Sequence, residues 1–361
     1  MNMNRYIFLL PLIAALASCS GTHEPVETAY TLSVDKSVIE ANGKDVATFT
    51  ITDASGIDIT ATDLRNTSFT IEETGEVFSG KGTGIVPNKF SSIENGTYTI
   101  SAMYNGVPCE NTVSVKVQNR KNYETFHRTV AIYRLTGTWC QYCPYMTTAL
   151  NNVNEYTKDH SIVLEFHNGD EFSVPFDATR DLAAFILSKW GTNNDGYPYC
   201  VYAAKEGSGK RTVSDIQRFV KEQLYADAAR TGIKAESSIA EKSLVVKAKV
   251  KASAAGKYDL CMAVLRDECV PTSASAYEKK YEGVVRGIEG NFYGLSNDAF
   301  TLEADGETAE ITKSFASDEL KSYGNNIRVV LMTIATDGTN TYVDNAVSFK
   351  AGESVDYRYN Q

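Results

Sequence analysis

The segment Gly137-Thr-Trp-Cys-Gln-Tyr-Cys-Pro144 constrains this chain more than any other. Its two cysteines, Cys140 and Cys143, stand between an apolar run at residues 130–135, which predicts a buried strand, and a helical periodicity that begins at Pro144. At such a strand-to-helix junction, free N–H groups and the helix dipole lower the pKa of a thiol and favour its thiolate. We therefore expect Cys140 to be a nucleophile. Cys143 is placed to close a disulfide with it or to release a mixed disulfide.

With Trp139 directly before the first cysteine, the motif resembles the active site of the thioredoxin superfamily, whose members perform thiol–disulfide exchange. A second similarity lies at Tyr197-Pro198, which precedes an apolar run. Superfamily members have a cis-proline there, and X–Pro is the bond at which the cis form costs least. The resemblance implies that Cys140 attacks, Cys143 resolves, and Trp139, Tyr197 and Pro198 contact substrate. It implies no cofactor beyond the redox-active disulfide.

The sequence differs from thioredoxins at two charged positions on the strands next to the cysteine motif. Thioredoxins have a buried carboxylate six residues before the first cysteine and a lysine on the neighbouring strand, whereas this chain has Arg134 and Glu165 at the matching positions. We predict a charge-swapped pair whose cation favours a thiolate at Cys143 and makes the disulfide more oxidising. The alternative is that both side chains reach solvent at strand ends. His167, on the same strand face as Glu165, either lines the site or is a structural histidine.

The N-terminus indicates export. Arg5 precedes an apolar run at residues 6–17, which is too short for a membrane span. Leu16-Ala-Ser-Cys19 resembles the bacterial lipobox, which implies a signal peptide over residues 1–19, a lipidated Cys19 and a polar tether at 20–29. We expect a lipid-anchored protein in the outer membrane, facing the periplasm or the surface. The alternative is an ordinary signal peptide with an incidental cysteine.

Three domains are expected after the tether. Residues 30–118 contain short alternating strands and the hairpin signal Asn105-Gly106, which predict a β-sandwich. The pattern from Gly96 to Ala102 resembles bacterial immunoglobulin-like modules. Residues 123–230 alternate strands with helices, which predicts an α/β domain with a parallel sheet. Residues 233–361 return to strands. The expected fold class is an α/β thioredoxin-like domain flanked by two all-β immunoglobulin-like sandwiches.

The central domain carries the clearest pattern of elements. Its strands are predicted at 130–135, 162–167 and 199–203, and its helices at 145–156, 178–188 and 213–226. The second helix is expected to start at Asp177 or Thr179. No clean hairpin is predicted after Ala204, where Gly207-Ser-Gly209 suggests a tight return instead.

The region from 123 to 361 resembles outer-membrane lipoproteins of Bacteroides-type bacteria, a family named for a member of about twenty-eight kilodaltons. The resemblance rests on the Trp-Cys-x-x-Cys-Pro motif and on Asn345-Ala-Val-Ser-Phe followed by Gly352. Within this region, residues 267–300 predict a long loop, which is often functional. Its aromatic side chains either fill the core or form a wall beside the redox site; they are Tyr277, Tyr281, Phe292 and Tyr293.

The other cysteines allow a second disulfide. Cys261 and Cys269 are eight residues apart, so a local structural bridge between them is an open possibility in an exported protein. Cys109 and Cys200 are expected to be small buried residues.

Composition excludes some classes of function for this chain. A net charge of −10 argues against nucleic acid as a partner. The four histidines are scattered in the sequence, so no metal site is expected.

We expect a membrane-anchored thiol–disulfide oxidoreductase acting on thiols and disulfides of exported proteins. The alternative is a non-enzymatic surface lipoprotein whose sandwiches bind a protein or glycan partner, with the cysteine pair as a structural bridge. Copper or zinc handling by that pair lacks a nearby third ligand.

Overall fold

The computed structural model describes residues 29–79, 88–118, 125–226 and 228–360. The predicted signal peptide, Cys19 and nearly all of the predicted tether lie outside the described residues. Of these described residues, 44% lie in strands and 15% in helices, so β-structure dominates the fold. No helix in the described ranges combines the length and the apolar character needed to cross a membrane.

The N-terminal unit consists of two β-sheets that enclose one apolar core. Phe49 of one sheet stacks on Phe69 of the other, with ring centroids 5.6 Å apart. The sheets have the strand orders β1-β3-β6 and β2-β9-β7-β4-β5, with β8 beside β7. The elements are β1 Thr31–Val34, β2 Val38–Glu40, β3 Ala47–Thr52, α1 Ile59–Thr62, β4 Thr67–Ile71, β5 Glu76–Ser79, β6 Lys89–Phe90, β7 Gly96–Tyr104, β8 Val107–Pro108 and β9 Val113–Gln118. Alternate residues of β3 are buried, as expected for strands that pack on one face.

The middle region contains strands and helices in alternation. The elements are β10 Val130–Thr136, α2 Cys143–Asn151, α3 Glu155–Asp159, β11 Ser161–His167, α4 Leu182–Trp190, β12 Tyr199–Tyr202, β13 Glu206–Ser208 and α5 Val213–Ala226. Strands β10 and β11 are parallel, whereas β12 is antiparallel to β10, so the sheet is mixed rather than parallel as expected. Strand β13 closes a hairpin with β12. Its turn passes through Ala203 and Ala204 at φ values of 50° and 53°. Alanines are not a turn signal, which is why the sequence predicted no hairpin here.

Two helices differ from their predicted bounds. The single helix expected at 145–156 is divided into α2 and α3, because the side chain of Asn154 accepts the N–H of Thr157 and caps a new helix. Helix α4 begins after Asp181 rather than at Asp177 or Thr179. Asp177 instead accepts hydrogen bonds from the backbone of Thr179 and Arg180 and closes a turn before the helix.

The C-terminal region adds strands to the same sheet. Its elements are β14 Thr231–Ile239, β15 Ser243–Ala252, β16 Gly256–Arg266, β17 Val284–Glu289, β18 Phe300–Leu302, β19 Ile311–Ala316, α6 Leu320–Tyr323, β20 Ile327–Asp337, β21 Asn340–Lys350 and β22 Ser354–Val355. A nine-stranded sheet has the order β13-β12-β10-β11-β17-β16-β20-β21, with β18 beside β16. The sheet therefore continues across residue 232, where the sequence suggested a boundary. The link is β17, which lies in the segment predicted to be a loop and pairs in parallel with β11 at Glu165 and Val284.

The two faces of this sheet are covered differently. Helix α4 and the aromatic residues after β17 cover one face. Helices α2 and α5 cover the other face at one end, and a four-stranded sheet of order β19-β15-β14-β22 covers it at the other end. Along β10, Ala131, Tyr133 and Leu135 point to the first face, and Val130 and Ile132 point to α2 and α5. Because side chains alternate along a strand, Arg134 also points toward α2.

Candidate functional site

A disulfide bond joins Cys140 and Cys143 where β10 leads into α2. Cys143 is the first residue of the helix, and Cys140 lies in the turn before it, where its carbonyl accepts the N–H of Cys143 at 3.3 Å. Cys143 is fully buried, whereas Cys140 is 4% exposed. Cys140 is therefore the more exposed of the two cysteines, and it lies in front of the helix N-terminus.

Exposed aromatic side chains flank this disulfide. Trp139, Tyr142 and Tyr145 are 48%, 49% and 63% exposed, although aromatic residues are usually largely buried. Tyr277 is 53% exposed, and its backbone N–H donates to the carbonyl of Thr138 at 3.1 Å. The long segment between β16 and β17 thus reaches the motif and adds a fourth aromatic residue beside it.

The Tyr197–Pro198 peptide bond is cis, as expected from the sequence. The ring of Tyr197 packs edge-on against Trp139 with centroids 5.4 Å apart, so the fold brings this dipeptide beside the cysteine motif. Trp139 is held by a hydrogen bond from its Nε1 to the carbonyl of Asn168 at 2.7 Å. A Cβ at Gly137 would lie 2.7 Å from the same nitrogen, so the indole position requires glycine there.

Arg134 lies under the disulfide in a network of buried charges. Its side chain is 1% exposed and pairs with Glu165, its register partner on β11, and with Glu278 at 2.7 Å. The guanidinium also donates to the carbonyl of Cys143 at 3.3 Å and to the hydroxyl of Thr147. Thr147 in turn donates to Glu278 at 2.6 Å. The two residues expected to pair are thus in contact, and the network reaches the backbone of the helical cysteine.

The positive charge of Arg134 is largely balanced by two buried carboxylates, so it does not act on the cysteines alone. Burial by itself would lower the pKa of Arg134, but the carboxylates of Glu165 and Glu278 outweigh it and raise that pKa. Burial raises the pKa of Glu165 despite its contact with Arg134. The predicted pair of Arg134 with Glu165 is thus present, and Glu278 adds a second carboxylate that the sequence did not indicate.

His167 forms a second polar link to the motif. Its Nδ1 is 2.8 Å from Asp170, and the same carboxylate oxygen accepts the N–H of Thr138 at 2.7 Å. Burial would raise the pKa of Asp170, but the hydrogen bond from His167 and the backbone donors lower it overall. On the other side of the ring, Nε2 lies 4.0 Å from Glu165, and neither atom has a hydrogen-bond partner within the described chain.

The expected bridge between Cys261 and Cys269 is not formed, and both thiols are free and buried. Cys261 lies within β16, which runs on to Arg266, and an extended strand rises by about 3.3 Å per residue. The strand therefore carries the chain far beyond the Cα separation of about 7 Å that a disulfide tolerates. Cys200 is free and buried, and burial raises its pKa to about 12, whereas Cys109 is free but only half-buried.

Sequence reasoning missed three residues of this site. Glu278, Thr147 and Asp170 connect the cysteine motif to buried charges, yet none belongs to a recognisable local motif. Glu278 is 144 residues from its partner Arg134. An acidic residue in a presumed surface loop carries no local signal that it will be buried.

Comparisons with known proteins support the fold alone. A scan of family models finds no match, and a search of curated proteins finds none either. Among solved structures, HBP35 of Porphyromonas gingivalis superposes with a TM-score of 0.51 at 16% identity, covering 63% of this chain and 77% of its own. A structural-genomics protein from Agrobacterium tumefaciens gives a TM-score of 0.41 at 13% identity, covering 66% and 99%. The first likeness supports a shared architecture with a protein of a Bacteroidetes bacterium.

Proposed function

We propose that this protein is a thiol–disulfide oxidoreductase with a thioredoxin-like module, acting on exported proteins. The observation that carries the proposal is the Cys140–Cys143 disulfide at the start of α2, beside the cis Tyr197–Pro198 bond. A helix N-terminus lowers the pKa of a nearby thiol, and a second thiol within bonding distance allows a mixed disulfide to be released.

The exchange needs only the two cysteines. In the reductive direction, the Cys140 thiolate attacks one sulfur of a substrate disulfide, forms a mixed disulfide and releases the first substrate thiolate. The Cys143 thiolate then attacks the Cys140 sulfur and releases the second thiolate. The substrate gains two electrons, and the enzyme is left with the Cys140–Cys143 disulfide. In the oxidative direction the same steps run in reverse, and no further cofactor takes part.

The flanking residues have separate roles in this proposal. Tyr197 precedes β12, and none of the backbone hydrogen bonds of the described chain uses it, which suits pairing with an extended peptide. Trp139 shields the disulfide and packs on Tyr197. Arg134, balanced by Glu165 and Glu278, sets the stability of the thiolate and hence the reduction potential.

The proposed location follows from the N-terminal pattern. The lipobox-like Leu16-Ala-Ser-Cys19 supports a lipid anchor at Cys19, and the tether and N-terminal sandwich would then separate the redox site from the membrane. The likeness to a Bacteroidetes protein is compatible with the outer-membrane family that the sequence resembles.

Insulin reduction by dithiothreitol tests the activity. We expect the wild type to accelerate precipitation of the insulin B chain, and Cys140→Ser to abolish the acceleration. Cys200→Ser serves as the matched control, because that thiol is buried and its raised pKa keeps it unreactive. Equal rates with wild type, Cys140→Ser and no protein would refute the proposal.

One observation favours a second function, the binding of a protein or glycan partner by the β-sandwich. The N-terminal unit exposes large apolar side chains that its own core does not use; they are Ile57, Val77, Met103 and Val107. Under this hypothesis, Cys140 and Cys143 form a structural disulfide. A Cys143→Ala variant, which cannot release mixed disulfides, separates the two functions, because only an oxidoreductase will trap substrates through Cys140.

A further inference from the structure

A cluster of imidazole and carboxylate groups lies far from the disulfide, where the N-terminal sandwich meets the middle region. Glu94, His127 and His160 each place a potential ligand atom within 4.8 Å of the others. The side chains of His160 and His127 are 1% and 7% exposed, and that of Glu94 is 29% exposed. Strand β10 separates the cluster from the cysteine motif, because the cluster adjoins its start and the motif follows its end. At about 3.3 Å per residue, its seven residues span roughly 20 Å.

The hydrogen bonds of His160 define where its protons are. Its Nδ1 lies 2.6 Å from the carbonyl oxygen of Arg128, which can only accept, so Nδ1 carries a proton. Its Nε2 lies 2.7 Å from a carboxylate oxygen of Glu94, which when ionised also can only accept. A neutral ring would therefore bring two lone pairs together. The contact requires a positive charge between them, either a proton or a metal ion.

His127, whose ring stacks on that of His160, also contacts a backbone carbonyl. Its Nε2 lies 3.2 Å from the carbonyl oxygen of Asp159, which can only accept, so Nε2 carries a proton and the lone pair of a neutral ring lies on Nδ1. For His160, the N–H donated to the carbonyl of Arg128 is the kind of second-shell contact that fixes the tautomer of metal-binding histidines.

We propose that Glu94, His127 and His160 bind a divalent ion of the zinc class, with water in the fourth position. Two imidazoles and a carboxylate are a ligand set that Zn²⁺ accepts with tetrahedral geometry. Glu94 belongs to the sandwich, whereas the histidines precede β10 and follow α3. The ion would therefore clamp the N-terminal unit onto the rest of the chain.

The geometry defines what must move when the ion binds. Ligands held at about 2.1 Å from a tetrahedral ion are about 3.4 Å apart, so the 2.7 Å contact between Glu94 and His160 opens by about 0.7 Å. Glu94 lies in a partly exposed loop and can supply this shift. The two rings are stacked at 4.2 Å with an angle of 13° between them, so their lone pairs do not converge. His127 must rotate about its side-chain bonds to complete the site.

The test uses the full chain with the Cys140–Cys143 disulfide oxidised, so that these thiols cannot bind metal. After treatment with a chelator, Zn²⁺ is titrated by calorimetry at pH 7, and Co²⁺ is followed by its visible absorption. We expect one equivalent of Zn²⁺ to bind with a Kd of about 1 µM or below and to raise the Tm by mass action. Loss of one ligand in Glu94→Gln or His160→Gln should weaken binding at least about 10-fold.

Two matched variants control for charge and for histidine count. Glu73→Gln removes an exposed carboxylate from the same sandwich, and His23→Gln removes a histidine that is not one of the proposed ligands; both variants should bind Zn²⁺ like the wild type. If His160→Gln fails to fold, Glu94→Gln decides the question, because Glu94 is partly exposed. Equal Kd values in Glu94→Gln and the wild type would overturn the proposal. So would the absence of saturable binding up to about 100 µM Zn²⁺, in which case the cluster holds a shared proton.

Discussion

Replacing Glu278 by glutamine isolates the charge that the C-terminal half contributes beneath the disulfide. Glu278 contacts Arg134 at 2.7 Å and accepts a hydrogen bond from Thr147 at 2.6 Å. Glutamine keeps the size of the side chain, and its carbonyl oxygen can still accept from Arg134. Its NH2 group would then face the Thr147 hydroxyl, which can accept a hydrogen bond as well as donate one. The substitution therefore removes one negative charge and leaves Arg134 paired with Glu165.

The size of the effect follows from the hydrogen-bond path. The carboxylate of Glu278 lies 2.6 Å from the Thr147 hydroxyl, and that hydroxyl lies 3.2 Å from the carbonyl oxygen of Cys143. The carboxylate is therefore roughly 8 Å from the sulfur of Cys143. At an effective dielectric constant of about 20, two charges at this separation interact by about 2 kcal/mol. Removing the carboxylate stabilises the thiolate of the reduced form. The disulfide should become more oxidising by about 40 mV, since 30 mV corresponds to about 1.4 kcal/mol for two electrons.

The assay is equilibration with glutathione redox buffers, followed by alkylation of free thiols. Glu282→Gln is the matched control, because Glu282 lies on the same segment, is exposed and pairs with Lys280. It should leave the reduction potential unchanged. A Glu278→Gln potential that equals the wild-type value, or that shifts in the reducing direction, would refute the electrostatic reasoning about this network. An unfolding curve in urea for each variant shows whether the fold is retained.

Three further predictions concern stability. Arg134→Met should cost about 3–5 kcal/mol in urea unfolding, because it leaves two carboxylates buried without their cation, and a loss below about 1 kcal/mol would contradict the buried network. Asp170→Asn should cost about 1–2 kcal/mol at pH 7. The folded pKa of Asp170 is lowered, so its contribution is present above the unfolded pKa of about 4 and is lost as the pH falls through the folded value. The difference between this variant and the wild type should thus shrink toward pH 2, and a constant difference would exclude the His167 pair as its source. Gly287→Ala should cost about 1–3 kcal/mol, because the added Cβ would lie 2.1 Å from the ring of Phe315; recovery on adding Phe315→Leu checks that this contact is the cause.

Predictions from the sequence were correct where the structure of an element depends mainly on its own residues. The apolar run at 130–135 corresponds to β10, and the helical periodicity at 213–226 coincides with α5. The cis bond at Tyr197–Pro198 was expected because only proline makes that geometry inexpensive. The separation of α2 from α3 was missed, since a continuous apolar periodicity hides the cap at Asn154.

Predictions from the sequence were wrong where the structure depends on which strands, distant in sequence, pair with one another. The strand β17 lies in a segment that lacks a regular alternation, and it forms only because β11 and β16 present edges on either side. A local bridge between Cys261 and Cys269 was plausible from their spacing alone, yet both thiols are free, and the extended strand β16 leads the chain away from Cys261.

The sequence by itself determined the cysteine motif, the strand before it, the proline beside it and the paired charges of Arg134 and Glu165, because each follows from spacing along one or two neighbouring elements. Only the tertiary structure decided that Glu278 lies under the motif and that Glu94 meets His127 and His160. These residues are brought together by sheet order and by the packing of the N-terminal sandwich. Contacts of that kind depend on the whole fold, and no local periodicity encodes them.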